Sequence, residues 1–319
     1  MTAVSVVIPT YNRAEMVMRA VGSVVEQTFQ DFELIVVDDG STDDTVARLQ
    51  TLSDARIRLL PLPANSGGSR ARNEGLRAAR ADLVAFLDSD DEWLPRKLEV
   101  QLARLRDSTD SRVAVAYCPW VTRDHLGGRE VPGGLPANEG DVLEPLLRGW
   151  NVATSAALIR RGALEGVGGF DERLPAAQEY DLWLRLATAG HNFVAVREAL
   201  VVKHTHDGPR ISVDPQAASE RTLEQLDRKW GALVRDRLGP RGYLGWRATC
   251  RSYIFASHLM RVRVAMARGQ RSVAWRHCRD LWRGLPASGH FFLRGALLTV
   301  LGWRGYRIVS ALARRGRRT

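Results

Sequence analysis

Residues 4–12, VSVVIPTYN, and residues 33–43, ELIVVDDGSTD, decide how this chain is read. Each begins as a β-branched apolar run without polar alternation and then breaks abruptly into polar residues, as a strand covered on both faces of a parallel sheet does. Between them Met16, Ala20, Val21, Val24 and Val25 recur at helical spacing over residues 14–28. The alternation continues with a helix over 42–52, a strand at 57–60, a helix over 69–80 and a strand, LVAFL, at 83–87. Strands alternating with helices predict an α/β fold with a mostly parallel sheet flanked by helices.

Beyond Asp91 the pattern loosens. It predicts a helix over 95–107, a strand at 113–117, a surface loop in the Gly/Pro-rich stretch 127–140 and a strand in TSAALIRR, 154–161. A short helix, a GGFDE turn at 168–172 and a helix through YDLWLRLATAG, 180–190, follow, with Gly190 placed as its C-terminal cap. After Pro215 the signal is helical: Leu223, Leu226, Trp230, Leu233 and Val234 make one apolar face that stops at Gly239 and Pro240, and further helices are expected over 246–268 and 271–283. The expected division is an α/β domain over 1–214 and a helical, basic extension over 215–319.

The net charge of +10 is unevenly placed: residues 235–319 hold 19 Arg, no Lys and two Asp, a net +17. Such a segment wants an anionic partner. No zinc finger, helix-turn-helix or RNA-binding signature accompanies it, so nucleic acid is not expected. Trp and Arg interleaved with Leu and Val suit an anionic membrane surface, and a solvated bundle with basic faces is the plainer alternative. Within 291–313 the longest charge-free run, Gly295 to Trp303, is about half of the roughly 20 residues a spanning helix needs, so this part would lie on a membrane rather than cross it. MTAVSVVIPTYN reads as a first strand and not as a signal peptide, which makes a cytoplasmic location, peripheral on the inner face of the membrane, the expectation. Cys118, Cys250 and Cys278 are too widely spaced for a zinc site and odd in number for a disulfide framework.

In an open parallel sheet, ligands bind at the carboxyl ends of the strands. Here those ends read PTYN (Pro9, Thr10, Tyr11, Asn12), DDGSTD (38–43) and DSDD (88–91). Taken singly these are good turn sequences, and Ser41, Thr42 or Asp43 would cap the next helix. Taken together they gather acids that need a cation or hydrogen-bond donors to offset them. No Gly-rich phosphate loop follows the first strand, which argues against a dinucleotide-dependent dehydrogenase and against a P-loop NTPase. A divalent cation, Mg²⁺ or Mn²⁺, on Asp88 and Asp90 would hold phosphate instead.

VSVVIPTYN, ELIVVDDGSTDDT, NSGGSRARNEGLRAARADLVAFLDSDDEW and GGFDERLPAAQEYDLWLRL, in this order and spacing, resemble the family 2 glycosyltransferases of the GT-A fold, over about residues 3–212. The resemblance implies a Rossmann-like sheet and an inverting transfer from a nucleotide-diphospho-sugar, UDP- or dTDP-linked, to a glycan or lipid-linked acceptor. It implies that Pro9, Tyr11 and Asp39 line the nucleoside pocket, Asp39 accepting from a base N–H, with Asp38 supporting the strand end and Thr10 and Asn12 also donor-binding. Asn65, Gly68, Arg72 and Asn73 would close the donor site, and Arg72 suits a phosphate or base carbonyl. Asp88 and Ser89 would face the ribose side, Asp88 and Asp90 the metal, with Asp91 and Glu92 as turn and helix-start residues.

The segment 178–182, QEYDL, departs from the usual acidic pattern: Glu179 stands where the catalytic aspartate would be and Gln178 replaces the acid before it. Asp181 is the second catalytic candidate, with a helix-start role as its plainer reading. VVKHTHDGPRIS (201–212) resembles the stretch that supplies a metal-side histidine, His206 fitting better than His204. Acceptor contacts are expected from Trp120 to Trp150. A sugar nucleotidyltransferase, or a membrane-associated binding protein on an inactive scaffold, are the competing readings; PTYNR is no nucleotidyltransferase loop, and the intact acids argue against inactivity.

Overall fold

The computed structural model describes residues 2–124, 129–133, 137–205, 215–267 and 272. In chain order the elements are β1 (Val4–Thr10), α1 (Ala14–Val25), β2 (Phe32–Asp38), α2 (Thr45–Gln50), β3 (Ile57–Pro61), α3 (Gly68–Ala78), β4 (Leu83–Phe86), β5 (Asp91–Trp93) and α4 (Lys97–Arg106). Then come β6 (Val113–Tyr117), β7 (Trp120–Asp124), β8 (Arg129–Gly133), α5 (Leu143–Leu147), β9 (Ala157–Arg160), α6 (Arg161–Gly166), α7 (Gln178–Thr188), β10 (Asn192–Ala195), β11 (Val201–Thr205) and α8 (Pro215–Ala267).

Seven strands form the main sheet in the order β10-β6-β9-β4-β1-β2-β3, and four form a smaller one, β5-β11-β7-β8. The main sheet is parallel except for β9, which runs antiparallel to β4 and β6. β1 is buried along its whole length, which is why it shows no polar alternation. Its register sets Thr10 opposite Asp38 of β2. Pairing with β4 ends at Val7 and Phe86. That break explains a proline in a central strand. The Val7 carbonyl accepts from Leu87 N–H on the β4 side, and Pro9, two residues on, faces the same way where β4 has ended, so no ladder bond is lost. α3 lies against β1 at Gly75, where a Cβ would sit 2.2 Å from Val7 Cγ1.

Several boundaries differ from the sequence reading for local reasons. The second helix starts at Thr45 and not at 42, because Ser41, Thr42 and Asp43 are drawn into bonds with Asn12 and Thr45. Asp91 and Glu92 open strand β5 and pair with β11 instead of starting a helix. The expected loop 127–140 contains β8, hairpinned on β7. TSAALIRR divides into a 3₁₀ turn (Thr154–Ala156), β9 and the first residue of α6. α7 begins two residues before the expected start, after Ala177 at φ 55°, and Gly190 (φ 85°) follows its end. α8 breaks at Gly239 (φ 68°), where the amphipathic face was expected to stop.

One apolar core unites the layers, and it includes Leu226, Trp230, Val234, Trp246 and Cys250 from α8. Trp246 Nε1 donates to Tyr180 Oη at 2.9 Å, and that hydroxyl donates to the Leu146 carbonyl at 2.7 Å. The extension is thus packed on the α/β layer through residue 250. The helix expected over 271–283 and the segment 291–313 lie outside the described residues, Ser272 excepted. Among the described residues no helix is long and apolar enough to cross a membrane.

Candidate active site

The carboxyl ends of β1 and β2 are knitted together by one asparagine. Asn12 takes φ 50°, a conformation Asn tolerates better than most residues. Its Oδ1 accepts Thr42 N–H at 2.7 Å while its own N–H donates to Ser41 Oγ at 2.8 Å. Asp38 Oδ2 accepts Ser41 N–H at 3.0 Å. Asp38 Oδ1 and Thr10 Oγ1 are buried without a partner among the described residues, an unusual state for polar atoms. Pro9 is buried in β1, and Tyr11 is half-buried beside it.

Asp39 was expected to meet a base N–H. Its two carboxylate oxygens instead accept Ser66 N–H at 2.8 Å and Gly67 N–H at 2.7 Å, at the start of α3. Burial pushes its carboxyl up from the usual range, and those two bonds pull it back. Each oxygen keeps a second lone pair, so the base contact would be additional to this anchoring.

Asn73, expected at the closing edge of the donor site, bonds the GGFDE turn. Its Nδ2 donates to the Phe170 carbonyl at 2.9 Å and to Glu172 Oε1 at 2.8 Å, and its Oδ1 accepts Phe170 N–H at 2.8 Å. The GGFDE turn is docked on α3 by these bonds. Gly169 (φ 67°) is required there, since a Cβ would sit 2.6 Å from Asn73 Oδ1. Gly68 is buried in the first turn of α3, and Asn65 is exposed on the loop before it.

The 88–91 turn closes on itself through Asp91 N–H to the Asp88 carbonyl, 2.9 Å. Ser155 supports it from below: its hydroxyl accepts Asp88 N–H at 3.1 Å and donates to Asp91 Oδ2 at 2.6 Å. Each acid of the turn has a cation. Arg72, stacked over the Phe170 ring at 5.4 Å, donates to Asp88 Oδ1. Arg13 lies 3.0 Å from Asp90 Oδ2 and donates to Ser89 Oγ at 3.3 Å. Lys203 Nζ is 3.6 Å from Asp91 Oδ2. Burial pushes the Asp91 carboxyl up while Lys203 pulls it down, and the Lys203 ammonium is held well above its ordinary value, chiefly by Asp91.

Glu179 sits in the first turn of α7, half-buried. Its carboxylate makes no hydrogen bond or ion pair with a described residue, and its charge acts on Lys203. Gln178 Nε2 turns back to the Leu174 carbonyl, 3.1 Å. Asp181, two residues on, faces the opposite way and is fully buried. Its Oδ2 accepts Arg185 Nε at 2.8 Å, and its Oδ1 accepts Trp230 Nε1 at 3.0 Å and lies 2.6 Å from Lys229 Nζ. It neither caps α7 through its side chain nor reaches the cleft. It is therefore no candidate for chemistry.

His204 Nε2 lies 2.7 Å from Glu92 Oε1, which Arg19 also holds, so this histidine is directed at Glu92. His206 lies outside the described residues. Among the described residues no group of three or more His, Cys, Asp and Glu is arranged to hold a metal. Asp88 and Asp90 nonetheless fit Mg²⁺ or Mn²⁺: they are hard oxygen donors with side chains 27 and 22% exposed, and such ions take one or two carboxylates and complete their shell with water and phosphate.

Sequence reasoning missed Arg13, Ser155 and Lys203. Arg13 follows PTYN directly, and its reach to the 88–90 turn depends on strand register. Lys203 did leave a signal. Of 46 basic residues only Lys97, Lys203 and Lys229 are lysines, and the other two occupy built polar sites. Lys97 is fully buried, donating to Gln101 Oε1 at 2.7 Å over the Trp93 ring, its ammonium pushed down to about 7 by burial. Lys229 bridges Asp171 and Asp181.

A mostly parallel sheet with an acidic turn after β4, and an acid at the start of α7 that bonds no described residue, match the GT-A transferase that the motifs lead one to expect. The Glycosyl transferase family 2 profile matches residues 5–168, and the chain belongs to that family: it is a glycosyltransferase. It is 26% identical over 230 residues to WfgD of Escherichia coli, a UDP-Glc:alpha-D-GlcNAc-diphosphoundecaprenol beta-1,3-glucosyltransferase, covering 72% of this chain and 85% of that one. The amylovoran biosynthesis glycosyltransferase AmsB of Erwinia amylovora is 32% identical over 209 residues, 63% of this chain and 69% of AmsB. Among solved structures, S. aureus TarS 1-349 in complex with UDP-GlcNAc superposes with a TM-score of 0.57 at 19% identity, covering 88% of this chain and 90% of TarS 1-349, which speaks to the fold.

Proposed function

We propose that this chain is an inverting glycosyltransferase of cell-surface polysaccharide synthesis, moving a sugar from a UDP- or dTDP-sugar to a glycan or lipid-linked acceptor. The carrying observation is the acidic 88–91 turn at the end of β4, together with a half-buried Glu179 at the start of α7 whose carboxylate bonds no described residue. The name of WfgD supports a lipid-linked acceptor and that of AmsB a biosynthetic role, and WfgD and the TarS complex support a uridine diphosphate donor.

In this reading Thr10 Oγ1 and Asp38 Oδ1, which have no partner among the described residues, meet the nucleoside, with Tyr11 and the second lone pairs of Asp39. Asp88 and Asp90, with His206, would hold Mg²⁺ or Mn²⁺. When bound, the ion supplies positive charge for the nucleotide diphosphate. Glu179 takes the proton from the acceptor hydroxyl. The acceptor oxygen bonds to the sugar carbon from the side opposite the leaving group, and the carbon–oxygen bond to phosphate breaks with its electron pair going to the diphosphate.

The test is thermal stabilisation and turnover across UDP-, dTDP- and GDP-sugars, with and without Mn²⁺. A donor at 100 times its dissociation constant stabilises by roughly 2.7 kcal/mol. Activity should vanish in excess EDTA and in Asp90→Ala. Full transfer under either condition contradicts the metal assignment, and no response to any donor contradicts the donor class.

The 19 Arg and two Asp of residues 235–319 support peripheral attachment to anionic lipid, where each basic residue contributes about 1 kcal/mol. Flotation with phosphatidylglycerol vesicles should retain the protein at low salt and release it at high salt. Absence of binding at low salt, or retention through a carbonate wash, argues against that attachment.

A further inference from the structure

Lys203 stands apart from the other cations of the cleft. Arg72 and Arg13 are committed to Asp88 and to Asp90 with Ser89. The Lys203 ammonium makes no hydrogen bond to a described residue. Its nearest acid, Asp91, is 3.6 Å away, its side chain is 34% exposed, and the Trp120 ring lies 6.0 Å to one side. Strand pairing fixes this position: Lys203 is in register with Asp91 across β11 and β5, and a one-residue slip would turn it to the other face.

The acids acting on it, after Asp91, are Asp88, Asp90 and Glu179. Through Asp91 it stands at the 88–91 turn that carries the proposed metal-binding pair, Asp88 and Asp90. In a single displacement the leaving diphosphate lies beside that pair, held there by the ion. We propose that Lys203 is a diphosphate-binding residue of the donor site, its ammonium hydrogen-bonding the phosphate oxygens of the bound nucleotide and the charge that builds on them as they leave. No proton is transferred; the three N–H groups, which bond no oxygen of a described residue, donate to the phosphate oxygens. A lysine suits this because its charge is compact and its donors rotate, whereas the planar fork of an arginine would pair with Asp91 edge to edge. The inference rests on the nucleoside-diphosphate reading above.

The experiment is calorimetry of UDP, dTDP and GDP, and of uridine, thymidine and guanosine, against wild type, Lys203→Met and Lys203→Arg in Mg²⁺. Lys203→Met should weaken the preferred diphosphate about ten- to a hundredfold, the usual range for losing a hydrogen bond to a charged group. It should leave the matching nucleoside within about twofold. Lys203→Arg should recover part of the loss. If Lys203→Met weakens nucleoside and diphosphate equally, or neither, the residue only holds β11 to β5 and the inference is overturned. A wild-type chain that binds none of the three diphosphates overturns the donor reading, and this role with it.

Discussion

Glu179→Gln is expected to lower turnover by about 10²- to 10⁴-fold while leaving donor affinity and melting temperature near wild type. The substitution keeps the size and planarity of the side chain and removes only its basicity. No described residue bonds this carboxylate, so its loss breaks no described contact. Its helix start is held by other means: Ala177 takes φ 55° before the first turn, and Gln178 Nε2 bonds the Leu174 carbonyl. Turnover with the preferred nucleotide sugar, calorimetric donor binding and a thermal melt decide the matter together. Near-normal turnover removes Glu179 from the mechanism. The anomeric configuration of the product, read by NMR, checks the single displacement separately, since retention would require a covalent intermediate.

Asp181→Asn is expected to do the reverse, lowering stability by about 3–5 kcal/mol, the range for breaking a buried ion pair from one side. The fully buried carboxylate accepts Arg185 and Trp230 and faces Lys229 at 2.6 Å. An amide would present donors to donors on one of its two ends, take the counter-charge from Arg185 and leave Lys229 with Asp171 alone. At about 2–4 °C per kcal/mol for a chain of this size class, the melt should fall by roughly 6–20 °C. Because Trp230 and Lys229 belong to α8, loosening of that helix should come first, seen as early proteolysis between α7 and Gly239. A melt within a degree of wild type sinks the anchoring role. Loss of turnover in a folded Asp181→Asn protein, with Glu179→Gln still active, would mean the two acids have been assigned the wrong way round.

These two acids are two residues apart, and on a helix such neighbours do not share a face. The spacing in QEYDL therefore separates their surroundings, though not which face is the cleft. Likewise DDGS and DSDD could be located by the apolar runs before them, yet the partners of their acids could not. Arg13 and Ser89 are 76 positions apart, and Asn73 and Phe170 are 97 apart. Asn73 and Asp39 stand out in their motifs, but their bonds to the GGFDE turn and to the start of α3 depend on how those segments dock.

What the sequence by itself determined is what short-range pattern encodes: the β-branched strands of the sheet, the helices between them, the acidic strand ends and the order of the family's motifs. Burial on both faces erases polar alternation, and a helix repeats its apolar face every three or four residues, so these features are written in neighbouring positions. Tertiary structure alone decided the pairings: Arg13 with Asp90, Lys203 facing Asp91, and Asp181 turned away from the cleft into α8. Those contacts are set by strand register and helix packing across the core, where the energy of one ion pair depends on residues dozens of positions away and on the water they exclude.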